Sequence, residues 1–173
     1  MKHLNIEIKA RCNDHKKVRD FLISRNADFK GTDHQVDTYF WVNNGRLKLR
    51  EGDIENFLVF YERENKEGPK QSKVILFESN PKSSLKEILV QALGVLVVVD
   101  KTREIYFIEN VKFHIDIVKG LGTFMEIEAI DSDGSFGKNK LLEQCDTYLS
   151  SFGINNDDFI SVSYSDLLLE KQK

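Results

Sequence analysis

The chain has 173 residues, of which 40% are hydrophobic and 31% charged, with 25 Lys and Arg nearly balancing 28 Asp and Glu. A net charge of -3 excludes recruitment of nucleic acid or an acidic membrane by bulk electrostatics, so any anion site must come from local clustering. Cys12 and Cys145 show no metal or redox spacing, and no apolar run is long enough for a signal peptide or a membrane span. The expectation is one domain over residues 1–173, reduced and cytoplasmic.

The elements follow in chain order. Leu4-Asn5-Ile6-Glu7-Ile8-Lys9 alternates strictly, which predicts a half-buried strand. Residues 14–24 carry Val18, Phe21 and Leu22 on one helical face, with Asn13 or Asp14 as N-cap. Strands are predicted over 36–42 and 46–50, around the turn Asn43-Asn44-Gly45, then over 57–63 and 72–78. A helix over 83–92 stops at Gly94. A strand over 95–107, broken near Asp100, precedes alternating strands at 114–117 and 124–128, joined by Gly120-Leu121-Gly122. Helices over 139–152 and from Ser163 through Leu168 complete the chain. Short connections favour antiparallel neighbours.

The alternating faces carry unusual charges. They read Asn5, Glu7, Lys9 on one strand; Arg46, Lys48, Arg50 on another; then Lys101 with Arg103, and Glu126 with Glu128. Residues at i and i+2 project from one face about 7 Å apart. A solvated sheet face is the ordinary reading of any one such strand. Here, however, Lys and Arg recur alone on two strands, while carboxylates gather at Asp116, Glu126 and Glu128. If the sheet curls with this face inward, a basic wall opposes an acidic one, and buried unpaired charge is costly. A polyphosphate bridged to carboxylates by a divalent cation satisfies both walls.

At these residues the sequence resembles the CYTH superfamily, the triphosphate tunnel metalloenzymes, in its class IV adenylyl cyclase-like and thiamine triphosphatase-like branch. The similar stretches are Asn5 to Lys9, where Asn5 replaces the family's first Glu, Gln35 to Phe40, Arg46 to Glu51, Tyr61-Glu62-Arg63, Gly68-Pro69-Lys70, Asp100 to Arg103, His114 to Glu128, and Ser163 to Leu168. The resemblance implies an α+β, mainly β fold: an antiparallel eight-stranded closed barrel, a tunnel with helices packed outside. Ile6, Ile8, Leu47, Leu49, Ile115, Ile117, Met125 and Ile127 would then face those helices. It implies that Lys9, Arg46, Lys48, Arg50, Arg63, Lys101 and Arg103 bind triphosphate, with Tyr61 a further contact. Glu7, Asp116, Glu126 and Glu128 would hold Mg²⁺ or Mn²⁺, and Glu7, Lys9, Glu126 and Glu128 would serve catalysis.

The implied function is metal-dependent phosphoanhydride hydrolysis of an inorganic, nucleoside or thiamine triphosphate. Alternatives are cyclisation of ATP to cAMP and pyrophosphate, and a non-catalytic polyphosphate-binding module. The partner is a small-molecule triphosphate, not nucleic acid or membrane, and the chain is a monomer or homodimer. His114 reads as a hydrogen-bonding neighbour rather than a base, Trp41 as shell packing, and the cysteines as inert core thiols.

Overall fold

The structure is a computed structural model describing residues 2–63 and 69–173, without the side chains of Lys2, His3 and Arg63. The strands are β1 (Lys2–Arg11), β2 (Asp28–Phe40), β3 (Arg46–Gly52), β4 (Phe57–Arg63), β5 (Lys70–Glu78), β6 (Val95–Ile108), β7 (Val111–Val118) and β8 (Gly122–Asp131). They close into a barrel in the order β1-β5-β4-β3-β2-β6-β7-β8, with every pairing antiparallel. Closure gives each strand two partners and fixes one face of each toward the interior.

Two helices cover the outside of β1, β7 and β8. Helix α1 (His15–Ser24) starts at Asp14, whose side chain accepts from the Lys17 N–H at 2.9 Å. Helix α3 (Gly137–Phe152) ends on Gly153, left-handed at φ 66°. Val18, Leu22, Leu141, Cys145 and Leu149 pack there against the outward residues Ile6, Ile8, Phe113, Ile115, Met125 and Ile127. Each large side chain so buried contributes roughly 1.5–3 kcal/mol, which anchors the register of these strands.

A second core lies inside the barrel. Tyr39, Val59, Tyr61, Val74, Val97, Val99, Val118 and Phe124 meet Ile160, Leu167, Leu168 and Leu169. The last three belong to α4 (Tyr164–Lys171), so the C-terminal segment closes one end of the tunnel. Alternation is thus apolar at the closed end and charged further along.

Several sequence expectations are corrected. β6 runs unbroken through Asp100, because that side chain faces outward and pairs with His34 without disturbing the backbone ladder. β2 begins at Asp28, well before residue 36, and ends at Phe40. Its first half escapes alternation because a register shift at Gly31, φ 128°, interrupts the pattern. Trp41 is 61% exposed rather than packed into the shell, and Ile117 is 55% exposed beyond the reach of the helices. Helix α2 (Leu85–Leu93) buries none of its residues.

Candidate functional site

Register assembles the tunnel lining. β1 pairs with β8 so that Lys9 stands opposite Glu126 and Glu7 opposite Glu128. β2 sets Asp37 opposite Arg50 on β3, and β6 sets Arg103 opposite Asp116 on β7. Glu7, Lys9, Lys48, Arg50, Lys101, Arg103, Glu126 and Glu128 all line one cavity of about 150 Å³. Asp116 joins them at its edge through Arg103.

The basic side gathers on a carboxylate that sequence reasoning passed over. Asp37 accepts from Lys48 at 2.9 Å, from Lys101 at 2.8 Å, and from Arg50 at 2.8 and 3.0 Å. Burial opposes ionisation of Asp37, but Arg50, Lys101 and Lys48 hold it well below the usual carboxylate range. Lys101 is pulled down to about 7 by burial and by Arg50, Arg103 and Lys48, against the attraction of Asp37. One signal was available: Asp37 shares the parity of Gln35 and Tyr39, but no acidic i+2 neighbour marks it. Glu55 was also missed. It bridges Arg50 at 3.0 Å and Lys112 from the β3–β4 turn, which Asp33 holds by accepting from the Ile54 and Glu55 N–H groups.

The acidic side is built around Arg103. Its guanidinium grips Asp116 through two bonds of 2.7 and 2.6 Å and also donates to Glu126 at 2.7 Å. Glu126 pairs further with Lys9 at 3.0 Å and with His114 Nδ1 at 3.0 Å. The Tyr164 hydroxyl donates to Asp116 at 2.7 Å, tying α4 to the site. Burial and the Arg103 charge lower His114 to about 4, so the ring is neutral and Nδ1–H donates to Glu126. His114 is therefore the hydrogen-bonding neighbour the sequence implied.

Glu128 differs from its neighbours. Burial, with Glu7, Glu126 and Glu55 outweighing Lys112, pushes it up to about 7, and Asn5 Nδ2 donates to it. Glu7 stands opposite Glu128 on β8 and opposite Lys70 on β5, and a cation would be accommodated where the two carboxylates meet across the ladder. The donors there are oxygens, which suit a hard divalent ion. Among the described residues, no three of His, Cys, Asp or Glu stand ready-arranged as a metal cluster. Asp116 is held by Arg103 and Tyr164, and Glu126 by Arg103, Lys9 and His114; with Glu7 and Glu128 they make up the four carboxylates that could hold the ion.

Arg46 lies at the margin of the cavity, its guanidinium 5.9 Å from the Tyr61 ring. It pairs with Asp166 of α4 at 3.1 Å and does not line the cavity. The Arg63 side chain lies outside the described residues, as does Gly68. Tyr61 lines the cavity beside Tyr39, their hydroxyls 3.5 Å apart.

A closed antiparallel barrel with an inward array of Lys, Arg and Glu defines the triphosphate tunnel class. The CYTH domain model matches residues 3–163, and the chain belongs to the CYTH family. A Methanocaldococcus jannaschii protein, provisionally named an adenylate cyclase, is 32% identical over 182 residues, covering 95% of this chain and 98% of that one. A Pyrococcus horikoshii structure superposes with TM-score 0.73 at 25% identity, covering 94% and 98% of the two chains. A Hippeastrum protein, provisionally an adenylyl cyclase and described as having dominant triphosphatase activity, superposes with TM-score 0.64 at 16% identity, covering 98% and 95%. Among the described residues, no helix is long and apolar enough to cross a membrane.

Proposed function

We propose that this chain is a divalent-metal-dependent enzyme acting on a triphosphate compound by hydrolysis of a phosphoanhydride. One observation carries the reading: charge inside the barrel is segregated. Lys48, Arg50 and Lys101 share Asp37, which leaves that side short of an anion even with Glu55 at its edge. Glu128 stands opposite Glu7 and is pushed up to about 7 by burial and the neighbouring carboxylates, so a cation beside it would be stabilised. A triphosphate carrying a divalent ion supplies both.

Lys48, Arg50 and Lys101 would exchange Asp37 for phosphate oxygens, and Lys9 and Arg103 would turn from Glu126 toward the same chain. That exchange leaves Glu126, beside Glu128 and Glu7, free to hold the ion. Bound there, Mg²⁺ or Mn²⁺ supplies charge neutralisation and lowers the pKa of an attacking water. The chain's own part is positioning and electrostatic stabilisation, which dominate phosphoryl transfer. Arg46 is assigned to holding α4 and not to phosphate.

Cyclisation of ATP is the second reading, favoured by the name of the Methanocaldococcus relative; the activity described for the Hippeastrum protein favours hydrolysis. The test is turnover of inorganic triphosphate, thiamine triphosphate, ATP and GTP with Mg²⁺ and Mn²⁺, measuring phosphate, pyrophosphate and cAMP separately. Phosphate release is expected; cAMP with stoichiometric pyrophosphate would establish cyclisation instead. Tight binding without turnover would leave a binding module.

A further inference from the structure

Glu55 reaches the tunnel lining from a turn rather than from a strand. Its Oε2 accepts from Arg50 Nη1 at 3.0 Å and from Gln35 Nε2 at 3.1 Å, and its Oε1 accepts from Lys112. Arg50 is on β3 and Lys112 on β7, with β2 and β6 between them in the barrel, so the carboxylate bridges the lumen. Burial opposes its ionisation, but Lys112 and Arg50 hold it well below the usual carboxylate range. On β2 the inward residues run Tyr39, Asp37, Gln35 away from the end that α4 closes, and Glu55 meets Gln35. Glu55 therefore sits at the outer end of the basic wall.

Arg50 is shared between two carboxylates. Its Nε and Nη2 hold Asp37 at 2.8 and 3.0 Å, while its Nη1 holds Glu55. Two anionic groups joined by one guanidinium match two successive phosphoryl groups of a chain, since the fork of an Arg binds either kind of oxygen. Asp37 is fixed in the ladders of β2 with β3 and β6, but Glu55 is not so anchored. The base of its turn is clasped by Asn56, which accepts from the Gly52 N–H at 3.1 Å and donates to the Gly52 carbonyl at 2.9 Å. The tip rests on Asp33, which accepts from the Ile54 and Glu55 N–H groups at 2.9 and 3.0 Å. Ile54 is 44% exposed, so apolar burial does little to hold the tip down. A tip secured by a few polar bonds opens at low cost compared with a core strand.

Resting on the triphosphate reading above, we propose that Glu55 is a removable internal anion: it fills the outer phosphoryl position of the basic wall, and an entering phosphate chain displaces it by lifting the β3–β4 turn off Asp33. Arg50 and Lys112 pass from Glu55 to phosphate oxygens, which makes Lys112 a ligand of the chain. Opening leaves no charge stranded at the hinge. Asp33, 0% exposed, keeps Gln35 Nε2 at 2.7 Å, and the freed Glu55 carboxylate moves toward water. The turn is thus a strap across the tunnel mouth, closed by its own carboxylate and opened by a competing anion.

The test is calorimetric binding of tripolyphosphate in EDTA, so that no turnover intervenes, joined to amide hydrogen exchange of the free and bound protein. Glu55→Gln keeps the shape and loses the charge; with thermal unfolding checking the fold, it should bind tripolyphosphate at least about tenfold more tightly than wild type. In that background, adding Lys112→Met should weaken binding by about tenfold, because Lys112 then has only the phosphate to lose. In wild type, tripolyphosphate should speed exchange at the Ile54 and Glu55 amides, which leave Asp33, while it slows exchange in β2 and β3. Binding to Glu55→Gln no tighter than to wild type, or slower exchange at Ile54 and Glu55 on binding, would overturn the strap while leaving the triphosphate reading intact. If tripolyphosphate binds neither protein, the triphosphate reading fails with it.

Discussion

Lys101 is 2% exposed among Asp37, Arg50 and Arg103, and its pKa of about 7 makes it the basic residue most sensitive to what enters the tunnel. Above pH 7 the ligand-free side chain loses its proton; a bound phosphate favours the charged form and draws the proton back. Triphosphate binding at pH 8 should therefore take up a fraction of a proton approaching one, and affinity should fall as pH rises from 7 to 9. Calorimetry in buffers of different ionisation heat measures this, and the ligand's own protons cancel when Lys101→Met is subtracted. Equal uptake in the two proteins would refute the assignment. The arginines separate by what each leaves behind. Arg103→Ala strands Asp116, 0% exposed, with the Tyr164 hydroxyl as its remaining hydrogen-bond partner among the described residues, and should cost roughly 3–5 kcal/mol in denaturant unfolding. Arg50→Ala leaves Asp37 with Lys48 and Lys101 and should cost clearly less, yet both variants should weaken tripolyphosphate binding at least about tenfold. That Lys48 and Arg50, and Lys101 and Arg103, share a face was legible from i, i+2 spacing; that these faces turn into a tunnel came with the family resemblance. Asp37 was not legible, because one carboxylate on an unmarked strand gains its meaning only when register sets it against three cations.

At the scale of elements, α4 is the clearest case of a piece held by chemistry the periodicity did not reveal. Ser163 and Asp166 form a reciprocal cap, Ser163 Oγ accepting from the Asp166 N–H at 3.1 Å and Asp166 accepting from the Ser163 N–H at 3.0 Å. Asp166 also receives Arg46, so one carboxylate fixes both the start of the helix and its attachment to β3. Asp166→Ala should lower the melting temperature by roughly 2–4 °C, the effect of about 1 kcal/mol in a chain of this size. Arg46→Ala should leave tripolyphosphate affinity within about twofold. A tenfold loss in that variant would return Arg46 to the phosphate site. Strict alternation made β1, β3, β7 and β8 readable, since each has one face on a core or helix and one in the tunnel. The first half of β2 was hidden by the shift at Gly31, and β6 looked broken only because Asp100 sits where a turn residue would.

For the whole molecule, closure converts a common sequence pattern into a site. An open sheet with these faces would bathe its charges in water; the barrel forces Glu126 to meet Lys9, Arg103 and His114 at 3.0, 2.7 and 3.0 Å. Burial works against its charge, but Lys9, Arg103 and the His114 hydrogen bond hold it well below the usual carboxylate range. Glu126 neutralises Lys9 and Arg103, and on the proposed reading would pass to a metal ion once phosphate takes them. Glu126→Gln separates the two duties. Lys9 and Arg103 lose a competitor, so tripolyphosphate should bind in EDTA as tightly as to wild type or more tightly. Turnover with Mg²⁺ or Mn²⁺ should fall by at least about a hundredfold, because one carboxylate of the ion's site is gone. Asn5→Glu probes the same balance from the other side. A third carboxylate beside Glu7 and Glu128 should destabilise the metal-free protein, and Mg²⁺ should restore more thermal stability to it than to wild type. If Glu126→Gln kept wild-type turnover, and Mg²⁺ raised the melting temperature of neither wild type nor Asn5→Glu, the acidic wall would be only the electrostatic counterweight of the basic one.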